Sequence, residues 1–150
     1  MDLDFFKAEH AAMLDLRQQM LALLNGEAND GRCELIVALR RKMDRLLTAH
    51  LAKEGRYVYP RLSQSADTAK AGLATQFSAE ADNFRFQWTS MIDDWPNQRI
   101  ATDPSGFETD MRMVLDCLAR RIDSEEADLY PACLTSGEEQ PEDPRTFLMS

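Results

Sequence analysis

The chain is poor in the residues that mark several protein classes. Among its 150 residues there are 3 cysteines, 6 glycines and 6 prolines. The cysteines, Cys33, Cys117 and Cys133, are odd in number, lie far apart and form no CxxC pair. Such spacing is typical of free thiols in a reducing compartment rather than of a disulfide framework or a zinc ribbon. We therefore expect a cytoplasmic protein.

Positive charge and long apolar runs are also scarce. There are 17 Lys and Arg against 26 Asp and Glu, which gives a formal net charge of −9. An acidic chain without a basic run is poorly suited to the phosphates of nucleic acid or to an anionic membrane surface. No apolar run approaches the roughly 18–20 residues that span a bilayer. The acidic start, MDLDFFKAEH, is not followed by the apolar segment of a signal peptide. We expect no nucleic-acid partner and no membrane partner.

The sequence shows neither the alternation typical of strands nor a glycine-rich nucleotide loop. Apolar residues instead recur at helical spacing over four stretches, about 2–25, 32–62, 68–94 and 107–135. Joined by short connections, these stretches predict an all-α fold, an antiparallel up-down-up-down four-helix bundle spanning 1–135. The remaining residues, 136–150, predict an acidic, loosely ordered C-terminal tail.

Prolines, glycines and turn residues suggest where the helices end. The stretch 96–106 contains two prolines and a glycine and is the clearest predicted loop. Pro60 is expected to end or kink the second helix. The stretch 63–67 is predicted to be a turn that offers a helix N-cap. Leu14 and Leu35 are among the residues assigned to apolar helix faces that pack inside the bundle.

Five polar residues lie on faces that are otherwise apolar. They are His10, His50, Glu54, Arg121 and Glu125. Because an unpaired buried charge is costly, we expect them to meet one another or a metal ion inside the bundle. His50 and Glu54 are four residues apart on one helix face, so both can reach one ion. Imidazole together with carboxylate suits iron, zinc or manganese.

Three segments carry a family resemblance. They are FKAEHAAM at 6–13, HLAKEGRYVYP at 50–60 and RIDSEEADLYP at 121–131, and FSAEADNF at 77–84 matches the first more faintly. Over 3–134 the chain resembles the hemerythrin-like family, also called HHE cation-binding domains. The resemblance implies a four-helix bundle that holds a non-haem iron pair or another metal.

Carried over by position, the resemblance implies four metal ligands, namely His10, His50, Glu54 and Glu125. Two positions that carry histidine in the family hold Ala81 and Arg121 in this chain. His10 and His50 would serve one ion, and the two missing histidines would serve the other. The resemblance therefore implies a degenerate site with one Fe, Zn or Mn ion or none, rather than a full di-iron centre.

Several neighbours of these ligands have more than one interpretation. Arg121 either stands where the second ion would be and holds the bridging glutamates, or faces outward. Glu126 could replace Glu125 as a ligand if the helix is rotated. The tyrosines either support the glutamates as hydrogen-bond donors or pack at the end of the bundle; they are Tyr57, Tyr59 and Tyr130.

Three functions are compatible with these residues. The first is a metal-binding, sensory or regulatory module rather than an oxygen carrier. The second is a metal-free bundle for protein interaction, in which Arg121 and a protonated His10 or His50 neutralise Glu54 and Glu125. The third and weakest is a non-haem iron redox enzyme, since no substrate-binding feature or nucleophile–base arrangement is present. A protein partner or a homodimer fits the first two, but the sequence indicates no interface.

Overall fold

Helices account for nearly all of the residues that the computed structural model describes, residues 2–134. In chain order they are α1 (Asp4–Leu24), α2 (Asp30–Lys53), a first π turn (Glu54–Val58), α3 (Tyr59–Ser63), α4 (Thr68–Asp94), α5 (Asn97–Thr102), α6 (Pro104–Ser124), a second π turn (Glu125–Leu129) and α7 (Tyr130–Leu134). No strand occurs in this range, so the all-α prediction is confirmed for it.

The long helices pack side by side. Helix α1 lies against α2 and α6, and α4 lies against α3 and α6. The first π turn joins α2 to α3 without a break, and the second joins α6 to α7 in the same way. Four long helical stretches therefore surround a shared core, and their antiparallel order stays a prediction from the short connections.

Side-chain caps explain where two of the long helices begin. The side chain of Asn29 accepts a hydrogen bond of 2.8 Å from the backbone N–H of Arg32 at the start of α2. Asp67 accepts one of 2.9 Å from the N–H of Ala69 at the start of α4. Each cap satisfies a backbone donor that lacks a partner within its helix. The N-cap predicted within 63–67 is confirmed.

The loop predicted at 96–106 is largely wrong. Helix α5 occupies Asn97–Thr102, and α6 begins at Pro104 rather than at residue 107. The prolines that suggested a loop stand at helix starts, where a missing N–H costs nothing and the fixed φ angle suits the helix. Asp103 completes the second start by accepting a hydrogen bond of 3.1 Å from the N–H of Gly106.

Pro60 does not end its helix, which continues to Ser63. Proline has no N–H and its ring crowds the carbonyl four residues earlier, so an ordinary helical turn would be disrupted. The first π turn widens the helix just before Pro60, and the N–H of Tyr59 bonds to the carbonyl of Glu54, five residues back. The second π turn precedes Pro131 in the same way.

The core consists of apolar side chains, with a few polar contacts at its edges. Trp88 and Trp95 are buried, and each indole N–H donates to an aspartate at 2.8 Å. Leu35 is 57% exposed and Leu14 is 38% exposed, so their assignment to the interior was wrong. Both lie at the margin of an apolar stripe, where a small rotation of the helix turns a side chain to solvent.

The cysteines form no disulfide within the described residues. Cys33, Cys117 and Cys133 are free thiols, of which Cys133 is buried. Within residues 2–134, no helix has both the length and the apolar character needed to cross a membrane. The predicted acidic tail at 136–150 lies outside the described residues.

Candidate metal centre

Four side chains from three of the long helical stretches converge inside the bundle. His10 comes from the middle of α1, and His50 lies near the end of α2. Glu54 and Glu125 are the first residues of the two π turns. All four are buried, and one nitrogen or oxygen atom from each lies within 4.8 Å of the others. The structure thus brings together the residues that the resemblance implied as ligands.

The distances between these atoms suit one small cation. The Nε2 atoms of His10 and His50 are 3.1 Å apart, and Nε2 of His10 is 2.8 Å from Oε1 of Glu125. Nε2 of His50 is 3.3 Å from Oε2 of Glu54 and 3.6 Å from Oε1 of Glu125. Two ligands about 2.1 Å from a common ion lie roughly 3.0–3.4 Å apart in octahedral or tetrahedral shells. The distances in the cluster, 2.8 to 3.6 Å, lie close to this range.

Outer carboxylates orient both imidazole rings. Nδ1 of His10 is 2.7 Å from Oε2 of Glu126, and Nδ1 of His50 is 2.9 Å from Oε1 of Glu9. An ionised carboxylate only accepts hydrogen bonds, so Nδ1 carries the hydrogen in both rings. Both Nε2 atoms then face the cluster, the arrangement found around histidine ligands of metals. Lys53 donates to the other oxygen of Glu9 at 2.7 Å.

Glu126 orients a histidine rather than replacing Glu125. Its side chain is 40% exposed and contacts the outer side of the His10 ring, away from the convergent atoms. Glu9 has the equivalent role for His50 but was not among the residues predicted from the sequence. Glu9 adjoins His10 in the chain yet contacts a different helix, so only the packing of α1 against α2 reveals its role.

Arg121 faces inward and lies on the opposite side of the two central carboxylates. Its Nη2 is 2.8 Å from Oε2 of Glu125 and 3.6 Å from Oε1 of Glu54, and its side chain is only 9% exposed. Both contacts are ion pairs rather than hydrogen bonds, since neither oxygen has a hydrogen-bond partner among the described residues. Each carboxylate therefore directs one oxygen at the histidines and the other at the guanidinium.

The three tyrosines have different surroundings. The hydroxyl of Tyr130 lies among the central polar atoms, and that of Tyr59 accepts a hydrogen bond of 2.9 Å from Nη2 of Arg121. The ring of Tyr57 lies against the guanidinium of Arg56, with 5.7 Å between its centroid and Cζ.

Ala81 is buried on α4 and offers only a methyl group.

Burial and neighbouring charges shift the pKa values of the central groups. Burial alone would lower the pKa of His50, but hydrogen bonds to Glu125, Glu54 and Glu9 raise it to about 11. Burial and the charge of Glu125 raise the pKa of Glu54. Burial also acts to raise the pKa of Glu125, but His10, His50 and Arg121 together hold it well below its usual range. The cluster attracts positive charge strongly.

An all-helical bundle with a buried group of two imidazoles and two carboxylates defines a class of cation-binding helical proteins. The model of the family described as hemerythrin HHE cation binding domain matches residues 1–133, and the chain belongs to that family. The resemblance drawn from the sequence is therefore confirmed. No curated protein and no solved structure matches the chain at a significant level.

Members of this family bind metal ions, and the donor set in this chain fits one. Two imidazole nitrogens and two carboxylate oxygens are suitable ligands for iron, zinc or manganese. They converge in a buried site, and Glu9 and Glu126 hold the rings in the required orientation. His10, His50, Glu54 and Glu125 are therefore the residues that would hold an ion.

Proposed function

We propose that this protein binds a single Fe, Zn or Mn ion and acts as a sensory or regulatory module rather than as an oxygen carrier. The observation that carries the proposal is the facing pair of Nε2 atoms, 3.1 Å apart. With the hydrogens on Nδ1, neutral rings would aim two lone pairs at each other and at two carboxylates. Such a cluster requires a cation at its centre, and a metal ion satisfies all four groups.

The opposite side of the carboxylates supports a single ion. Arg121 already supplies a positive charge there, and its guanidinium stays protonated under ordinary conditions. Burial alone would lower the pKa of Arg121, but the charges of Glu125, Tyr59 and Glu54 outweigh this effect and raise it above its usual value. Ala81 supplies no ligand at the position where the family has a histidine. We infer that the site is degenerate and that a fixed organic cation replaces the second ion.

A bound iron ion would supply sensitivity to oxygen or redox state, whereas zinc would supply a structural cation. The protein's own residues do the rest. Glu9 and Glu126 accept from Nδ1 of the histidines, so that Nε2 is the nitrogen available to an ion, and Arg121 holds the two carboxylates in place. The apolar core around them excludes bulk water, which strengthens every one of these interactions.

Metal analysis of the untagged full-length protein tests the proposal. The protein is incubated separately with Fe(II), Mn(II) and Zn(II), desalted, and assayed by mass spectrometry of the elements. A preformed site with four N and O ligands should retain about one equivalent of at least one metal. Replacing both His10 and His50 with alanine should abolish retention, whereas Asp116→Asn, on an exposed surface, should leave it unchanged. Less than about a tenth of an equivalent with every metal would refute the proposal.

The metal-free interaction module remains the second candidate, and the pKa of His50 favours it. A group whose pKa is raised to about 11 is protonated at neutral pH. Protonated His50 and Arg121 then balance Glu54 and Glu125, and the cation at the centre is a proton. This candidate predicts that neither a chelator nor added metal changes the melting temperature, whereas a bound ion would raise it.

A further inference from the structure

The hydroxyl of Tyr130 lies at the same point as the four candidate ligands. It is 2.9 Å from Oε2 of Glu54, 3.2 Å from Nε2 of His10 and 3.3 Å from Oε1 of Glu125. These distances fall within the range of those between the candidate ligand atoms themselves, 2.8 to 3.6 Å. A hydroxyl that merely supported one carboxylate would need only one such contact, whereas Tyr130 touches three of the four groups.

The ring of Tyr130 is positioned like that of a neighbouring ligand. It is buried and stacks on the His10 imidazole, with centroids 5.4 Å apart and planes inclined by 16°. Because the two rings are nearly parallel, the hydroxyl of Tyr130 and Nε2 of His10 lie close together, 3.2 Å apart. Phe6 also packs near this ring, with 6.0 Å between the centroids. The second π turn places Tyr130 five residues after Glu125, so both side chains project into the cluster.

Tyr59 provides an internal comparison. It occupies the same place in the first copy of the repeated motif, five residues after Glu54 and directly before a proline. Its hydroxyl accepts a hydrogen bond from Arg121 at 2.9 Å, on the side of the carboxylates that faces away from the histidines. The two tyrosines therefore divide between the two sides of the site, and only Tyr130 lies beside the imidazoles.

We propose that Tyr130 is a fifth ligand, bound through its phenolate oxygen, which adapts the site to ferric iron. The inference rests on the single-ion function proposed above and adds the preferred metal. On binding, the bond between the oxygen and the metal replaces the O–H bond, and the proton leaves to solvent. A bound trivalent cation provides the charge that stabilises an otherwise buried phenolate. A set of three anionic oxygens and two imidazoles suits Fe(III) better than Zn(II).

Visible absorption of the iron-loaded protein tests this assignment. The full-length protein is loaded with Fe(II) without oxygen, desalted, oxidised with ferricyanide and desalted again. A phenolate bound to Fe(III) produces a charge-transfer band in the visible range and tyrosinate vibrations in resonance Raman spectra. We expect both signals in the parent protein and in Tyr59→Phe, and neither in Tyr130→Phe. The zinc-loaded protein should be colourless.

The outcomes separate this inference from the proposed function. If the parent protein holds about one equivalent of iron but shows no band, Tyr130 is not a ligand and the single-ion function stands. A band that persists in Tyr130→Phe, or disappears in Tyr59→Phe, also overturns the assignment. If no metal is retained at all, both proposals fail. A merely structural role for Tyr130 would change stability without producing a phenolate spectrum.

Discussion

Glu54 and Glu125 face different groups on their two sides. On one side, the Nε2 atoms of His10 and His50 face each other and the carboxylate oxygens. On the other side, the guanidinium of Arg121 forms ion pairs with the same two carboxylates. Under the proposed function, a cation held on the histidine side would exchange with the surroundings, whereas the guanidinium of Arg121 is part of the chain and would not. The two copies of the repeated motif would then serve one exchangeable site and one permanent ion pair.

The comparison also explains why the carboxylates can remain buried. Two adjacent carboxylates in the interior repel each other and lose their hydration. Each buried negative charge therefore has to be balanced by a nearby positive charge. The Arg121 side supplies one charge at all times. The histidine side must supply the other, as a proton on His50 or as a metal ion. If the second metal position has been lost, as we propose, the first can therefore still bind an ion.

The largest expected effect follows from making the two sides alike. Ala81→His together with Arg121→His replaces the fixed cation with the two histidines that the family has at these positions. We expect metal content to rise from about one equivalent to about two, as measured by elemental analysis after desalting. Ala81→His alone should stay at one equivalent, because Arg121 still occupies the second position. Two equivalents in that single variant would contradict the comparison.

Removing the fixed cation alone should destabilise the metal-free protein strongly. Arg121→Leu leaves Glu54 and Glu125 buried without their partner, and breaking such a pair costs about 3–5 kcal/mol. Urea denaturation measures this as a fall in the midpoint. The neighbouring Arg120 is exposed and donates to the sulfur of Cys117, so Arg120→Leu should change stability by less than about 0.5 kcal/mol. Equal midpoints for the two variants would mean that Arg121 does not hold the carboxylates.

Smaller effects are expected from the carboxylates that orient the histidines. Glu9→Gln weakens the hold on His50, and losses of this kind lower metal affinity by about 10–100-fold. The side chain of Glu9 is 13% exposed and that of Glu126 is 40% exposed. Water can replace Glu126 more easily, so Glu126→Gln should have the smaller effect. Competition with a chelating dye measures both affinities, and the reverse order would show that exposure does not set the size of the effect.

The helices and the four candidate ligands could be predicted from the sequence, because both predictions depend on the spacing of residues that are close together in the chain. Apolar residues at three- and four-residue intervals predicted the long helices, and the repeated motif identified Glu54 and Glu125 as equivalent positions. The error at 96–106, and the part of the Pro60 prediction that had the helix end there, arose because proline can have two structural roles. It can break a helix, but it also fits the first turn of one or follows a widened π turn.

Contacts between helices were decided only by the tertiary structure. Sequence spacing along one helix does not determine its rotation or its shift against a neighbour, and these settle which groups meet. That is why Glu9 was missed, and why the sequence left open whether Arg121 faces inward and whether Tyr130 contacts the glutamates. The sequence by itself determined an all-helical member of the hemerythrin HHE family and the four residues of its candidate centre. Packing decided that one side of that centre faces two histidines and a tyrosine, while a buried arginine occupies the other.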